Sequence, residues 1–216
     1  MKPDGLIFHM SRCGSTLVSQ MLASVEECRV MSEPPAVEDV LQLGSVARLR
    51  TMVSALGQAS EFERHYFLKL DCWHIRHFDL IHEAFPETPA AFLFRNPLEV
   101  LVSQMRNPGV WTLCGHGDRE GHIAELLGEM METALHHAGS LEFVEYGRLP
   151  EAVFGLFGKE WTAAQQEKMR AAAGCDAKLP IVRFVDDGEA KRAEASEAAR
   201  TAAARVEGLY QRMRSA

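Results

Sequence analysis

The run GLIFHM, residues 5–10, narrows the possible folds more than any other stretch. It is short, apolar but for His9, and stops at a turn containing Gly14; STLVSQMLASV then carries apolar residues at helical spacing. A nearly continuous apolar run of strand length reads as a strand buried on both faces, as in parallel sheets covered by helices. The alternation repeats along the chain. CRVMS, HYFLKLD, PAAFLF and LEFVEY read as four further strands. AVEDVLQLGSVARLRTMVSAL reads as helical after the Pro34-Pro35 stop, and IRHFDLIHEAF, HIAELLGEMMETALHHA and the Ala-rich EASEAARTAAARVEGLYQRMR as further helices. NPGVWTLCGHGDRE reads as a loop. Strands alternating with helices predict a three-layer α/β/α fold with a central, mainly parallel sheet. At 216 residues one domain is expected, with a core over about 1–155 and a helical part over about 156–216.

In open sheets of this kind ligands sit beyond the carboxyl ends of the strands. That places the Ser11–Thr16 turn, Glu33, Lys69 to His74 and Arg95 on one edge. A strand, a tight turn with Gly14 and a helix start make an anion site, because free N–H groups and the helix dipole face the ligand. Ser11, Ser15 and Thr16 add hydroxyls and Arg12 adds a forked cation. A nucleotide-triphosphate loop would read G-x-x-x-x-G-K-[ST]. Here His9 stands in place of the first glycine and Ser15 in place of the lysine. Taken alone, the turn reads equally as a plain β-turn-α with a capping serine.

A second motif, FLFRNPLEVLVSQM, has Arg95 at a strand end, Asn96-Pro97 as cap and first turn of a helix, and Ser103 two turns on. Arg95 and Ser103 could clamp a second phosphate; alone they also read as a surface arginine and a solvent-facing serine.

Together the two motifs resemble the cytosolic and Golgi sulfotransferases that use 3'-phosphoadenosine 5'-phosphosulfate (PAPS). RCGST, Arg12-Cys13-Gly14-Ser15-Thr16, is similar to the family's 5'-phosphosulfate loop, and RNPLEVLVS, from Arg95 to Ser103, to its 3'-phosphate stretch. The resemblance covers about Leu6 to Val153 and includes LEFVEYGRLPEAV. It implies a P-loop NTPase-like sulfotransferase fold, PAPS as donor, 3'-phosphoadenosine 5'-phosphate (PAP) as product, and a hydroxyl-bearing acceptor. Two positions look like the tyrosylprotein branch: Glu33, 21 residues after Arg12, where that branch has its base, and Lys69, 26 residues before Arg95, where it has a lysine at the sulfuryl group. Asp71 and His74 are stand-ins for the histidine of the phenol and steroid branch, at a spacing that departs from it. The family's late Gly- and Lys-rich loop has no evident counterpart; Lys178, Lys191 and Arg192 are candidates to replace it.

The implied reaction needs in-line geometry and stabilisation of charge on the moving group and the leaving oxygen. Arg12 and the Gly14–Thr16 amides would hold the 5'-phosphate, Lys69 would meet the growing charge, and Glu33 would take the acceptor's proton. No metal is required if these groups suffice. Other readings of the same residues stand beside these: Glu33 as an acid at the next helix start, Lys69 and Asp71 as an exposed strand-end pair, and His74 as a first-turn helix residue. His116, His122, His136 and His137 lack metal-ligand spacing and read as surface histidines, while Met105, Met130, Met131 and Trp111 read as core or gap-filling residues ahead of the alternative, a lining of the acceptor pocket.

A net charge of -7 disfavours nucleic acid as a partner but leaves room for a local basic pocket. Five cysteines, odd in number and without a C-x-x-C pair, suggest neither a disulfide framework nor a zinc site. No apolar run reaches about 18 residues, so no membrane insertion and a cytoplasmic location are expected. Oligomeric state is not legible. Two alternatives to a sulfotransferase remain: a P-loop-like kinase of a small molecule, disfavoured by the missing lysine, and a non-catalytic nucleotide-binding protein of the same fold.

Overall fold

The computed structural model describes residues 1–58, 60–113, 117–174 and 187–216. Cys114, His116, Cys175 and Lys178 lie outside the described residues. Five strands, β1 (Gly5–His9), β2 (Cys28–Ser32), β3 (His65–Lys69), β4 (Ala90–Phe94) and β5 (Glu142–Glu145), form one sheet in the order β2-β3-β1-β4-β5. Every pairing is parallel. β1 and β4 are buried at all five positions, as their nearly continuous apolar sequences require. From β1 the chain goes out to the edge strand β2, returns to β3 beside β1, then crosses past β1 to β4 and β5. This reversal at the middle of the sheet opens a crevice at the carboxyl ends of the central strands.

Ten α-helices are described: α1 (Ser15–Ala23), α2 (Pro35–Gln42), α3 (Val46–Leu56), α4 (Phe78–Ala84), α5 (Pro97–Arg106), α6 (Arg119–His136), α7 (Ala163–Ala173), α8 (Gly188–Glu194), α9 (Glu197–Ala204) and α10 (Glu207–Ser215). The expected α/β architecture is present, and the helices differ most from the sequence reading at three places. The 36–56 stretch is two helices: Gly44 takes a left-handed φ of 61°, and Ser45 caps α3 by accepting the Arg48 N–H. The segment before α4 is a 3-10 helix, Cys72–His77. The Ala-rich C-terminal stretch breaks at Arg205–Val206 into α9 and α10, which bury Ala199, Ala202, Ala203, Tyr210 and Met213. Asn96 caps α5 as expected, its Oδ1 accepting from the Leu98 N–H, with Pro97 in the first turn.

The apolar core fills both faces of the sheet. Met130 and Met131 are fully buried in it, while Met105 and Trp111 pack against it half-buried. His137 is not a free surface histidine: its ring stacks on Phe78 with centroids 4.3 Å apart. Cys13, Cys28 and Cys72 are free, buried thiols. Among the described residues, no helix is long and apolar enough to cross a membrane.

Candidate active site

The turn between β1 and α1 is built from residues in the left-handed region: Ser11 at φ 69°, Arg12 at φ 50° and Gly14 at φ 85°. Glycine adopts this backbone freely, but Ser11 and Arg12 hold it against steric cost. Their contacts show what holds them. The Ser11 N–H donates to His9 Nδ1 at 3.1 Å, and Ser11 Oγ accepts from Gln104 Nε2 at 3.0 Å. Arg12 Nη2 donates to the Asn107 carbonyl at 2.6 Å. Gly14 is the N-cap of α1 and no side chain caps the helix. The turn is therefore not a plain β-turn-α with a capping serine; it leaves first-turn amides for another acceptor.

Ser11, Arg12, Gly14, Ser15 and Thr16 line one open cleft of about 480 Å³ together with Glu33, Lys69, Arg95 and Ser103. Four sequence segments thus meet at one sheet edge. Cys13 departs from the group. Its thiol points into the core, donates to the Leu93 carbonyl at 3.2 Å, and is pushed up to about 11 by burial. Only its backbone remains for a ligand.

Lys69 is the last residue of β3 and is 3% exposed, not a surface residue. Its ammonium donates to Glu33 Oε1 at 2.5 Å. Glu33 follows β2 at a left-handed φ of 51°, with its N–H donating to the Lys69 carbonyl at 2.8 Å. The backbone bond and the side-chain pair bind the ends of two adjacent strands. Pro34, not Glu33, is the N-cap residue of α2. His9 Nε2 also lies 3.2 Å from Glu33 Oε1, in an approach bent away from hydrogen-bond geometry. His9 and then Lys69 hold the Glu33 carboxyl down to about 2, against a burial effect that acts upward.

Asp71 and His74 sit one step away and do not line the cleft. The buried His74 ring spends both nitrogens on structure: Nδ1 accepts from the Asp71 N–H at 3.2 Å and Nε2 lies 2.7 Å from Glu38 Oε2. Glu38 also accepts from Trp73 Nε1 at 2.6 Å. His74 is thereby a brace between the 3-10 turn and α2. The Asp71 carboxyl is pushed up to about 6 by burial and by the negative charge of Glu33. Its folded value lies above its unfolded one, near 3.8, so the native state holds this proton more tightly. The resulting stability is complete below about pH 3.8 and is lost as pH rises through about 6. Asp71→Asn is therefore expected to raise the melting temperature at pH 7.5, by roughly 2–4 °C for a gain discounted by solvent screening to about 1 kcal/mol. No gain is expected at pH 3.5, and a calorimetric scan at the two pH values checks this.

Arg95 ends the other half of the cleft. Its buried guanidinium lies over the Tyr146 ring at 3.8 Å, donates from Nε to Glu99 Oε2 at 2.6 Å, and from Nη2 to Asp187 Oδ1 at 3.3 Å. Lys191, also buried, donates to the same Asp187 oxygen at 2.7 Å, and Arg192 pairs with Glu99. Lys191 and Asp187 line the cleft with Arg95 and Ser103. The donor set, an uncapped helix start with Arg12 and Lys69 on one side and Arg95, Lys191 and Ser103 on the other, suits a ligand carrying two anionic groups. His9, Gln104, Tyr146 and Asp187 were not legible as site residues. Of the late basic residues named as candidates, Lys191 lines the cleft, Arg192 pairs with Glu99, and Lys178 lies outside the described residues.

The sequence matches no protein-family model and no curated protein. Among solved structures, the chain is similar to a sulfotransferase from Alicyclobacillus acidocaldarius, at 12% identity and a TM-score of 0.52, over 97% of this chain and 96% of that one. It is also aligned with retinol dehydratase in complex with androsterone and the inactive cofactor PAP, at 12% identity and a TM-score of 0.48, over 99% of this chain and 81% of that one. The chain thus has the sulfotransferase fold, a five-stranded parallel sheet flanked by helices.

Proposed function

We propose that the chain moves a sulfuryl group from PAPS to a hydroxyl acceptor. One observation carries the reading: the uncapped α1 turn, the Arg95–Ser103 helix start and the Glu33–Lys69 pair line the same cleft. The acceptor oxygen attacks sulfur, the bond from sulfur to the 5'-phosphate oxygen breaks with its electron pair staying on PAP, and the acceptor proton passes to a base. Arg12 and the first-turn amides of α1 hold the leaving 5'-phosphate. Arg95 and Ser103 hold the 3'-phosphate, with Tyr146 fixing the plane of the guanidinium from below. Lys69 is buried and already directed by Glu33, so its charge is in place before reaction and needs little reorganisation. Glu33 is the base, ionised throughout the working pH range because His9 and Lys69 keep it so.

Calorimetric titration of the wild-type chain with PAP, in buffer without magnesium, tests the reading. Binding in the micromolar range, about -8 kcal/mol, is expected. Binding of ATP with magnesium and none of PAP would replace this reading with that of a small-molecule kinase.

A further inference from the structure

His9 lines the cleft although it is only 5% exposed. It is the last residue of β1, so its backbone is fixed by the sheet. Nδ1 accepts the Ser11 N–H, which leaves the proton of the neutral ring on Nε2. Burial disfavours the charged ring, so the neutral form holds. That Nε2 is buried, has no hydrogen-bond partner, and lies 3.2 Å from the Glu33 oxygen that also takes the Lys69 ammonium. Buried polar atoms left unpaired are rare, and this one faces a carboxylate in the cleft.

We propose that His9 is a positioning residue: its Nε2–H orients the Glu33 carboxylate through a bent charge–dipole contact at 3.2 Å, and its Nδ1 fastens the same ring to the anion-binding turn at Ser11. The ring joins the two halves of the site. Ser11 is held in the left-handed region by this bond and by Gln104, so a ligand that shifts the turn shifts His9 and, through it, Glu33. Lys69 holds the same carboxylate from β3, and the charge of Asp71 acts on it from the following turn. Glu33, just past β2, is thereby steered from the ends of β1 and β3. The catalytic consequence rests on the proposed sulfuryl transfer; the His9–Glu33 link does not.

Two substitutions separate the ring's bond to Ser11 from its contact with Glu33. In His9→Asn the amide oxygen can still accept from Ser11, but no donor reaches Glu33. In His9→Gln the amide nitrogen can take the place of Nε2, but the acceptor for Ser11 is lost. Titration of the Glu33 carboxyl by carbon-13 NMR, on the ligand-free chain, is expected to move upward by about one pH unit, a tenfold change in proton affinity, in His9→Asn and to stay near wild type in His9→Gln. In transfer assays His9→Asn is expected to lower kcat about tenfold or more with KM for PAPS little changed, and His9→Gln to recover most of that loss. An unmoved Glu33 titration in His9→Asn overturns the proposal. So do equal losses of kcat in the two variants, which a merely structural histidine would produce. If the wild type binds no PAP, the transfer reading fails by itself and the NMR titration still decides the link.

Discussion

Arg95→Ala is expected to weaken PAP binding about 30- to 1000-fold, the effect of roughly 2–4 kcal/mol for removing one member of a buried, hydrogen-bonded charge pair. The guanidinium is buried, lies over Tyr146 and presents a fork that a single ammonium cannot reproduce. Arg95→Lys, which keeps a cation beside Glu99 and so guards against simple unfolding, is expected to lie between wild type and alanine. A second substitution gives the opposite sign. The Asp187 carboxylate lies against both Arg95 and Lys191, where an incoming phosphate would bind, so any phosphate must compete with it. Asp187→Asn removes the competitor and is expected to tighten binding by up to about fivefold, because the pair is half exposed and worth about 1 kcal/mol at most. Calorimetry at one fixed, low salt concentration measures all three. Arg95→Ala binding as well as wild type would place the second anionic group elsewhere in the cleft.

The fold was legible because its central strands β1 and β4 are buried at every position and therefore read as nearly continuous apolar runs. β2 was bounded to the residue from sequence, and β1 and β4 to within one. The helices were less legible where a local turn beat periodicity. Leu43-Gly44-Ser45 keeps the apolar pattern of 36–56 almost intact, and only the positive φ at Gly44 and the Ser45 cap divide it. At the site, the residues that touch the cleft from strand ends were legible, since the parallel sheet brings every carboxyl end to one edge. Residues that act through the interior were not. His9 looked like the absence of a glycine; its tautomer depends on a backbone N–H two residues away, which no spacing rule encodes. Gln104 is buried among bonds to Ser11 and Gly109, and a glutamine in the last turn of a helix carries no such signal. His74 failed in the other direction. It has the right residue type near the right lysine, but the turn faces it toward Glu38.

Glu33→Gln is expected to lower kcat by about 100- to 10,000-fold, the usual contribution of a positioned proton acceptor, while PAP binding changes little. The pH dependence says which carboxylate is responsible. Glu33 in the free chain is held down to about 2, first by His9 and then by Lys69, whereas Asp71 is pushed up to about 6 by burial and by Glu33. These are environments that drive two neighbouring carboxyls apart, and each would leave a different signature. If Glu33 is the base, kcat/KM, which reports the free enzyme, stays flat from pH 8 down to about 4; if Asp71 is the base, it falls below about pH 6. The acid limb of kcat is expected to sit higher than that of kcat/KM. An anionic donor in the cleft draws on the charge of Lys69 and adds negative charge near Glu33, and both changes raise the carboxyl's affinity for a proton. A base too weak in the free chain thus becomes stronger when the donor is bound, and proton removal is tied to the loaded site. Measured profiles with an acid limb near 6 in wild type and none in Asp71→Asn would transfer the role to Asp71. A limb unaffected by Asp71→Asn, with activity lost in Glu33→Gln, would leave it with Glu33.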